Sequence, residues 1–341
     1  MSRSRTDPQP DIDESAESIR VHFLTFTDTY TTKHLVKDQL QAALSAYGVV
    51  PVDDWRDADL VHLFQDFILT TDNVRSFRFP ALFQILYSET PLVVSTDDLF
   101  FTDRPDLISH PRFYGLHHRT NRWMLERADA IAAYSESVAR EIGRYVDSTD
   151  LHVVHLAVDD RFCPTTSNTD TWTRDDQFVF HASLASKRKN PEAIVAVAER
   201  LDEQFVIAGT GWEEIVPERL RRRSVDALGY VSDDRLAELY RQATVFYFPT
   251  RHEGFGLPVL EAMASGTAVV TTTAYSVPEV VGDAAIQCHP EDVDAHVEQI
   301  RSLLHDDERR AAIERAALKR ADQFSWDRAA TETMAVYREL L

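Results

Sequence analysis

Short β-rich runs alternate with helically spaced apolar residues along almost the whole chain. IRVHFLTF (19–26) predicts a strand, and Leu35, Leu40, Ala43 and Leu44 within 31–47 predict a helix after it. The alternation continues through DLVHLF (59–64), a helix over 74–87, PLVVS (91–95), a helix over 112–127, DAIAAYS (129–135), a helix over 136–145 and LHVVHL (151–156). Residues 157–177 break the pattern with a Thr-, Asp- and Ser-rich stretch lacking periodicity, so a domain boundary is placed there, with a linker over 161–177. The pattern then restarts with FVFHA (178–182), a helix over 191–201, QFVIAG (204–209), SVDALGY (224–230), a helix over 233–242 and TVFYFPT (244–250). A helix from about Leu257, the strand TAVVTT (267–272) and helices over 291–304, 306–323 and 326–341 complete it. Strands alternating with helices imply parallel α/β sheets, here two Rossmann-like units facing across a cleft.

The 341 residues are enough for two domains, and 44% apolar with 27% charged residues is ordinary globular material. The first 18 residues are polar, read as a disordered leader without a signal peptide, and no apolar run is long enough to span a bilayer. A cytoplasmic protein is expected. The net charge of −20 disfavours nucleic acid as a partner, so any phosphate must be met by local groups. Thirty-one arginines stand beside only five lysines, which with the surplus carboxylates predicts a surface adapted to high salt. Cys163 and Cys288 are far apart with no CxxC, which suggests free thiols rather than a disulfide or zinc site.

Candidate chemistry concentrates in FYFPTRHEGFGLPVLEAMASGTAVVTT (246–272), where a strand enters a loop with Gly254 and Gly256 and then a helix with Pro258 in its first turn. The glycines let backbone approach an anion, and N–H groups of Phe255, Gly256 and Leu257 with the helix dipole can hold a phosphate. The bland alternative is a tight turn before a packing helix. Glu253 and Glu261 add two carboxylates able to accept hydrogen bonds from ribose and hexose hydroxyls, although Glu261 also reads as a first-turn partner of the helix dipole.

The run EGFGLPVLE, followed by AMASGTAVV and SVPEVVGDAA, resembles retaining glycosyltransferases of the GT4 family, which have the GT-B fold. ASLASKRKNP (182–191), FVIAGTG (205–211), LGYVSDDRLAELYRQA (228–243) and FSWDRAATETMAVY (324–337) extend the resemblance in family order. It implies an N-terminal acceptor-binding domain over 19–160, a donor-binding domain over 178–324, and a helix over 325–341 crossing back onto the first domain. It also implies metal-independent transfer of a sugar from a nucleotide diphosphate donor, of UDP or GDP type, to an acceptor that is a glycan, lipid-linked or small molecule. No cofactor is implied beyond that substrate. Glu261 would hold the ribose and Glu253 would face the transferred sugar. Lys189 with Arg188 would neutralise the diphosphate, the amides of Phe255, Gly256 and Leu257 would hold its distal phosphate, Gly229, Tyr230 and Val231 would line the base site, and Gly209 would also be donor-binding. The alternative is a sugar-nucleotide-binding or regulatory protein without turnover, because Ser183 stands where many relatives carry Arg and TFTDTYTTKH (25–34) replaces the usual Gly-rich loop.

Other groups read more plainly. His62 lies inside a strand and suits a core role, and Asp97–Asp98 suits a loop carboxylate pair better than a metal site. His117–His118 with Arg119 and Arg122 reads as a solvated helix face, and His252 as a loop neighbour of Glu253. Arg219 with Arg221, Arg222 and Arg223 is the one local basic cluster, a peripheral membrane or phosphate contact set against an exposed loop. A monomer or weak homodimer is expected.

Overall fold

A computed structural model describes residues 18–25, 32–64, 84–97, 105–107, 114–147, 150–164 and 177–341. Two all-parallel six-stranded sheets organise them. The first joins β1 (Ile19–Thr25), β2 (Val49–Pro51), β3 (Leu60–Phe64), β4 (Leu92–Thr96), β5 (Ala130–Ala133) and β6 (Leu151–Val153) in the order β2-β1-β3-β4-β5-β6. Its helices are α1 (Thr32–Ser45), α2 (Tyr114–Leu125) and α3 (Glu136–Ile142). Strands β3, β4 and β5 are buried at every position, as strands of a sheet covered on both faces are, and are mostly apolar, with His62, Ser95 and Thr96 as buried polar residues.

The second sheet comprises β7 (Phe178–Ala182), β8 (Gln204–Ala208), β9 (Val225–Ala227), β10 (Val245–Phe248), β11 (Ala268–Thr272) and β12 (Ile286–Cys288). Their order is β12-β11-β10-β7-β8-β9, so the chain builds outward from β7 in one direction and then reverses through β10. The carboxyl ends of β7 and β10 therefore flank the switch point where open α/β sheets bind ligands. Helices α4 (Pro191–Arg200), α5 (Asp233–Gln242), α6 (Leu257–Ala264), α7 (Val277–Val281), α8 (Val293–His305) and α9 (Asp307–Ala321) surround this sheet.

The last helix, α10 (Trp326–Leu340), starts at Ser325, whose side chain accepts from the Arg328 amide, and packs against α1 of the first sheet. Tyr47 ties the two helices together, its hydroxyl 2.7 Å from Asp327 Oδ1 and 2.8 Å from Thr331 Oγ1. Deeper in, Tyr337 meets His62 Nδ1 at 2.6 Å, and the other ring nitrogen of His62 meets Ser95 Oγ at 2.7 Å. Burial holds His62 neutral, its pKa pushed down to about 3, so this histidine is a core strut joining β3, β4 and α10.

Several predicted boundaries move. The strand expected over 224–230 is only Val225–Ala227, because Gly229 turns the chain with φ 67° and its carbonyl takes the Gly209 amide at 2.7 Å. The helix expected over 136–145 stops at Ile142, before Gly143, and that expected over 112–127 spans Tyr114–Leu125. Of the helix expected over 74–87, only 84–86 is described as helical. Residues 1–17 of the leader, 165–176 of the linker, 26–31 after β1 and Asp98 lie outside the described residues.

Candidate active site

Lys189 and Glu253 come from the loops after β7 and β10, the two strands at the switch point. A one-turn 3-10 helix, Lys187–Lys189, is closed by Asn190 in the left-handed region at φ 57°, and Asn190 then caps α4 by accepting from the Ala193 amide. That geometry turns Lys189 inward, where it is 6% exposed. Its Nζ donates to Glu253 Oε1 at 2.5 Å and lies 4.6 Å from the Phe248 ring centroid. Glu253 is 5% exposed and also accepts from Thr250 Oγ1 at 2.8 Å, with Arg188 3.8 Å from its other oxygen. Burial alone raises the pKa of Glu253, but the two cations and two hydrogen bonds outweigh it and hold the carboxyl below its ordinary value. The pair is thus an ionised carboxylate beside two cations.

The loop around Glu253 is fixed from both domains. Ser276 Oγ donates to the carbonyls of Glu253 at 2.5 Å and Phe255 at 3.0 Å, and Ser135 of the first domain donates to the Gly254 carbonyl at 2.8 Å. Gly254 has no Cβ because one would lie 1.5 Å from the Asp97 carbonyl oxygen. The sequence reading assigned this glycine to phosphate approach; its steric role is contact between domains. Gly256 is different: φ is 110°, space around it is open, and it begins α6 without a side-chain cap, leaving the helix N-terminus to an anion. The Phe255 side chain packs at 5.7 Å from Phe324 and 6.1 Å from His155, anchoring the loop while its amide remains at the helix start. Leu257 and Pro258 form the first turn of α6.

Glu261 accepts from the Tyr240 hydroxyl at 2.9 Å. Burial pushes its pKa up to about 7, a rise the Tyr240 hydrogen bond only partly offsets. Further along the same edge, Gly209 has φ 119° and a Cβ there would meet the Ser183 carbonyl oxygen at 1.9 Å, which closes β8 onto the β7 loop. Beside Gly229, Tyr230 is 80% exposed, and Val231 is partly buried against the core. Ser183 meets His181 Nε2 at 2.7 Å, and burial lowers the His181 pKa to about 3.

Tyr240, Thr250 and Ser276 had no role in the sequence reading, although a Tyr on the inner face of α5 signals a hydroxyl in need of a partner. On the facing domain Lys33 is buried and its Nζ lies 2.5 Å from Asp97 Oδ2, which makes Asp97 an ion-pair partner. His252 stacks on Tyr275 with centroids 3.9 Å apart. His118 packs edge-on against Tyr145 and Arg122 pairs with Glu126, while nothing is described for the His117 side chain. In the basic cluster Arg219, Arg222 and Arg223 pair with Glu199, Glu218 and Asp202.

Residues 166–320 match the family described as Glycosyl transferases group 1. This segment is a group 1 glycosyl transferase domain. It carries Lys189, Glu253 and Glu261 together. The chain is 39% identical over 153 residues to the O-antigen chain mannosyltransferase B of Escherichia coli, a stretch covering 43% of this chain and 40% of that protein. It is 30% identical over 243 residues to a serotype-specific mannosyltransferase WbdA of Escherichia coli, covering 63% of this chain and 29% of that protein. The chain therefore spans well under two thirds of these relatives. Among solved structures, the sucrose-phosphate synthase of Thermosynechococcus elongatus superposes with a TM-score of 0.77 at 17% identity, covering 95% of this chain and 99% of that one. Anabaena HepE in complex with UDP and glucose gives 0.72 at 16% identity, covering 94% and 99%. Both share the fold, the GT-B arrangement expected for the glycosyl transferase domain and its partner. No helix among the described residues is long and apolar enough to cross a membrane.

Proposed function

We propose that this protein is a retaining glycosyltransferase that moves a sugar from a nucleotide diphosphate donor to an acceptor held by the first domain. The observation that carries this is the buried Lys189–Glu253 pair at the β7/β10 switch point, beside Arg188 and the N-terminus of α6. In the transfer, the bond between the anomeric carbon and the diphosphate breaks and its electron pair leaves with the diphosphate oxygen. Lys189, Arg188 and the amides at Phe255, Gly256 and Leu257 stabilise that charge without calling on a metal. The ionised Glu253 offsets positive charge developing at the anomeric carbon. The acceptor hydroxyl attacks on the face the leaving group vacates, and its proton passes to the departing phosphate oxygen.

Glu261 accepts from the ribose hydroxyls, and the backbone at Gly209, Gly229, Tyr230 and Val231 borders the base. Mannose is the first sugar to test, because both curated relatives named above are mannosyltransferases. Their names also weigh against a binding protein without turnover. The test combines a thermal-shift screen of UDP, GDP, ADP and their hexose conjugates with an assay for released nucleoside diphosphate. Glu253→Gln is expected to lose turnover by a factor of about 100 or more while still binding nucleotide, as loss of one charge-stabilising group does. Wild-type turnover in Glu253→Gln, or no thermal shift with any nucleotide, refutes the reading.

A further inference from the structure

A second group of ligating side chains lies at the outer strand of the first sheet, on elements that supply nothing to the Glu253 site. Asp150 and His152 are two residues apart at the start of β6, so extended backbone turns both to the same side. Glu339 reaches them from the last turn of α10. One ligand atom from each of the three residues lies within 4.8 Å of the other two. His152 Nε2 is 3.4 Å from Asp150 Oδ1 and 3.7 Å from Glu339 Oε2. That nitrogen is shut off from solvent and makes no hydrogen bond.

Those separations are too long for hydrogen bonds, whose N···O distances run to about 3.2 Å. They match a different geometry, because a tetrahedral ion with bonds of about 2.1 Å holds its ligand atoms about 3.4 Å apart. A ring nitrogen aimed between two carboxylate oxygens from separate elements is also the donor set that a borderline divalent ion favours, the imidazole selecting against magnesium and calcium. We propose that Asp150, His152 and Glu339 bind a zinc-type divalent ion that pins α10 to the edge of the first sheet. Three protein ligands leave a fourth position to water. The ion fastens the helix that follows the second domain onto the first, and the proposal stands whether or not the transferase reading does.

The experiment uses the full chain, free of any histidine tag and stripped with chelator, titrated with zinc chloride by calorimetry and by thermal melting. One zinc per chain is expected, saturating at micromolar zinc, with a rise in melting temperature of a few degrees because the ion binds only the folded arrangement. Glu339 is over half exposed, so Glu339→Gln should keep its zinc-free melt and circular dichroism while losing zinc affinity about tenfold or more. His152→Ala should abolish the site, and cobalt absorption of the wild-type chain reports imidazole ligation should that variant fail to fold. Equal zinc affinity and stoichiometry in wild type and Glu339→Gln overturns the proposal in favour of adventitious ions on an acidic surface. A melting temperature indifferent to zinc but raised by acid overturns it in favour of a proton on His152.

Discussion

With the ribose held at Glu261 as proposed, donor affinity should depend on pH, in a direction and over a window that the surroundings of this carboxyl set. Its carboxyl titrates at about 7 because burial disfavours the charged form more than the Tyr240 hydroxyl favours it. Ribose hydroxyls donate hydrogen bonds, so they bind the carboxylate and not the neutral acid's O–H face. A group titrating at about 7 is about one-tenth ionised near pH 6 and about nine-tenths ionised near pH 8. Affinity for a ligand that requires the carboxylate therefore rises about tenfold over that interval, about 1.4 kcal/mol, and levels off above it.

The assay is isothermal titration of a nucleotide sugar, since its diphosphate, esterified at both ends, keeps a constant charge across this window and a free nucleoside diphosphate does not. Titrations in buffers of different ionisation enthalpy should show about half a proton released per nucleotide bound near pH 7, because half the free sites are then protonated. Tyr240→Phe removes the donor that holds the carboxylate at 2.9 Å, so the inflection should move to higher pH and affinity near pH 7 should fall. An affinity flat from about pH 5.5 to 8.5, or one that falls as pH rises, refutes the placement of the ribose at Glu261.

Three further outcomes follow from the packing and charge. Gly254→Ala puts a methyl 1.5 Å from a backbone oxygen that cannot swing aside, so turnover should drop at least tenfold with the melt nearly unchanged, and solution scattering should show a more open molecule; wild-type turnover would contradict the contact. His62 and His181 stay neutral in the fold down to about pH 3 but protonate near 6.5 when unfolded, so their contribution is complete above about 6.5 and is lost as pH falls; urea melts should lose up to about 1.4 kcal/mol per histidine per pH unit below 6.5, with a shallower slope in His181→Asn. The net charge of −20 predicts a melting temperature that climbs from low to molar potassium chloride as carboxylate repulsion is screened, and a flat profile would remove the high-salt reading.

The alternation of strand and helix was legible because buried parallel strands such as Leu60–Phe64 and Ala268–Thr272 face packed elements on both sides and are largely apolar. Two three-residue strands carry no signal of their own: Val49–Pro51 and Ile286–Cys288 are too short to show any period and are held by register with β1 and β11. The loop carrying Glu253 was visible from its glycines, but the two glycines looked alike in sequence. Only the tertiary neighbours separate them, Asp97 crowding Gly254 while Gly256 faces open space with φ 110°. Likewise, nothing local identifies the partners of Ser276 and Tyr240, which lie 23 and 21 residues away. The lysine at 189 was legible as a charge; its burial against Phe248 depends on the left-handed turn at Asn190, which no composition argument reaches.

The proposed donor site and the contact between domains are one piece of structure. Glu253 binds Lys189 with its side chain, while the next residue's carbonyl is held by Ser135 at the start of α3. The same helix start is gripped from α7, where Glu279 accepts from the Glu136 amide at 2.9 Å and from His155 at 2.7 Å, and Ser137 bonds the Tyr275 carbonyl. Ser276, between these grips, carries the hydrogen bonds to Glu253 and Phe255. A diphosphate that draws Lys189 away from Glu253 therefore acts on a loop whose other contacts are with the facing domain, and the energy of donor binding is coupled to the separation of the two sheets. Because that coupling runs through Ser135 and Glu279, which lie outside the expected donor contacts, Glu279→Gln should weaken closure and turnover together, with nucleotide affinity falling only as far as closure does. Loss of nucleotide affinity with closure unchanged by solution scattering would instead place Glu279 in the donor pocket.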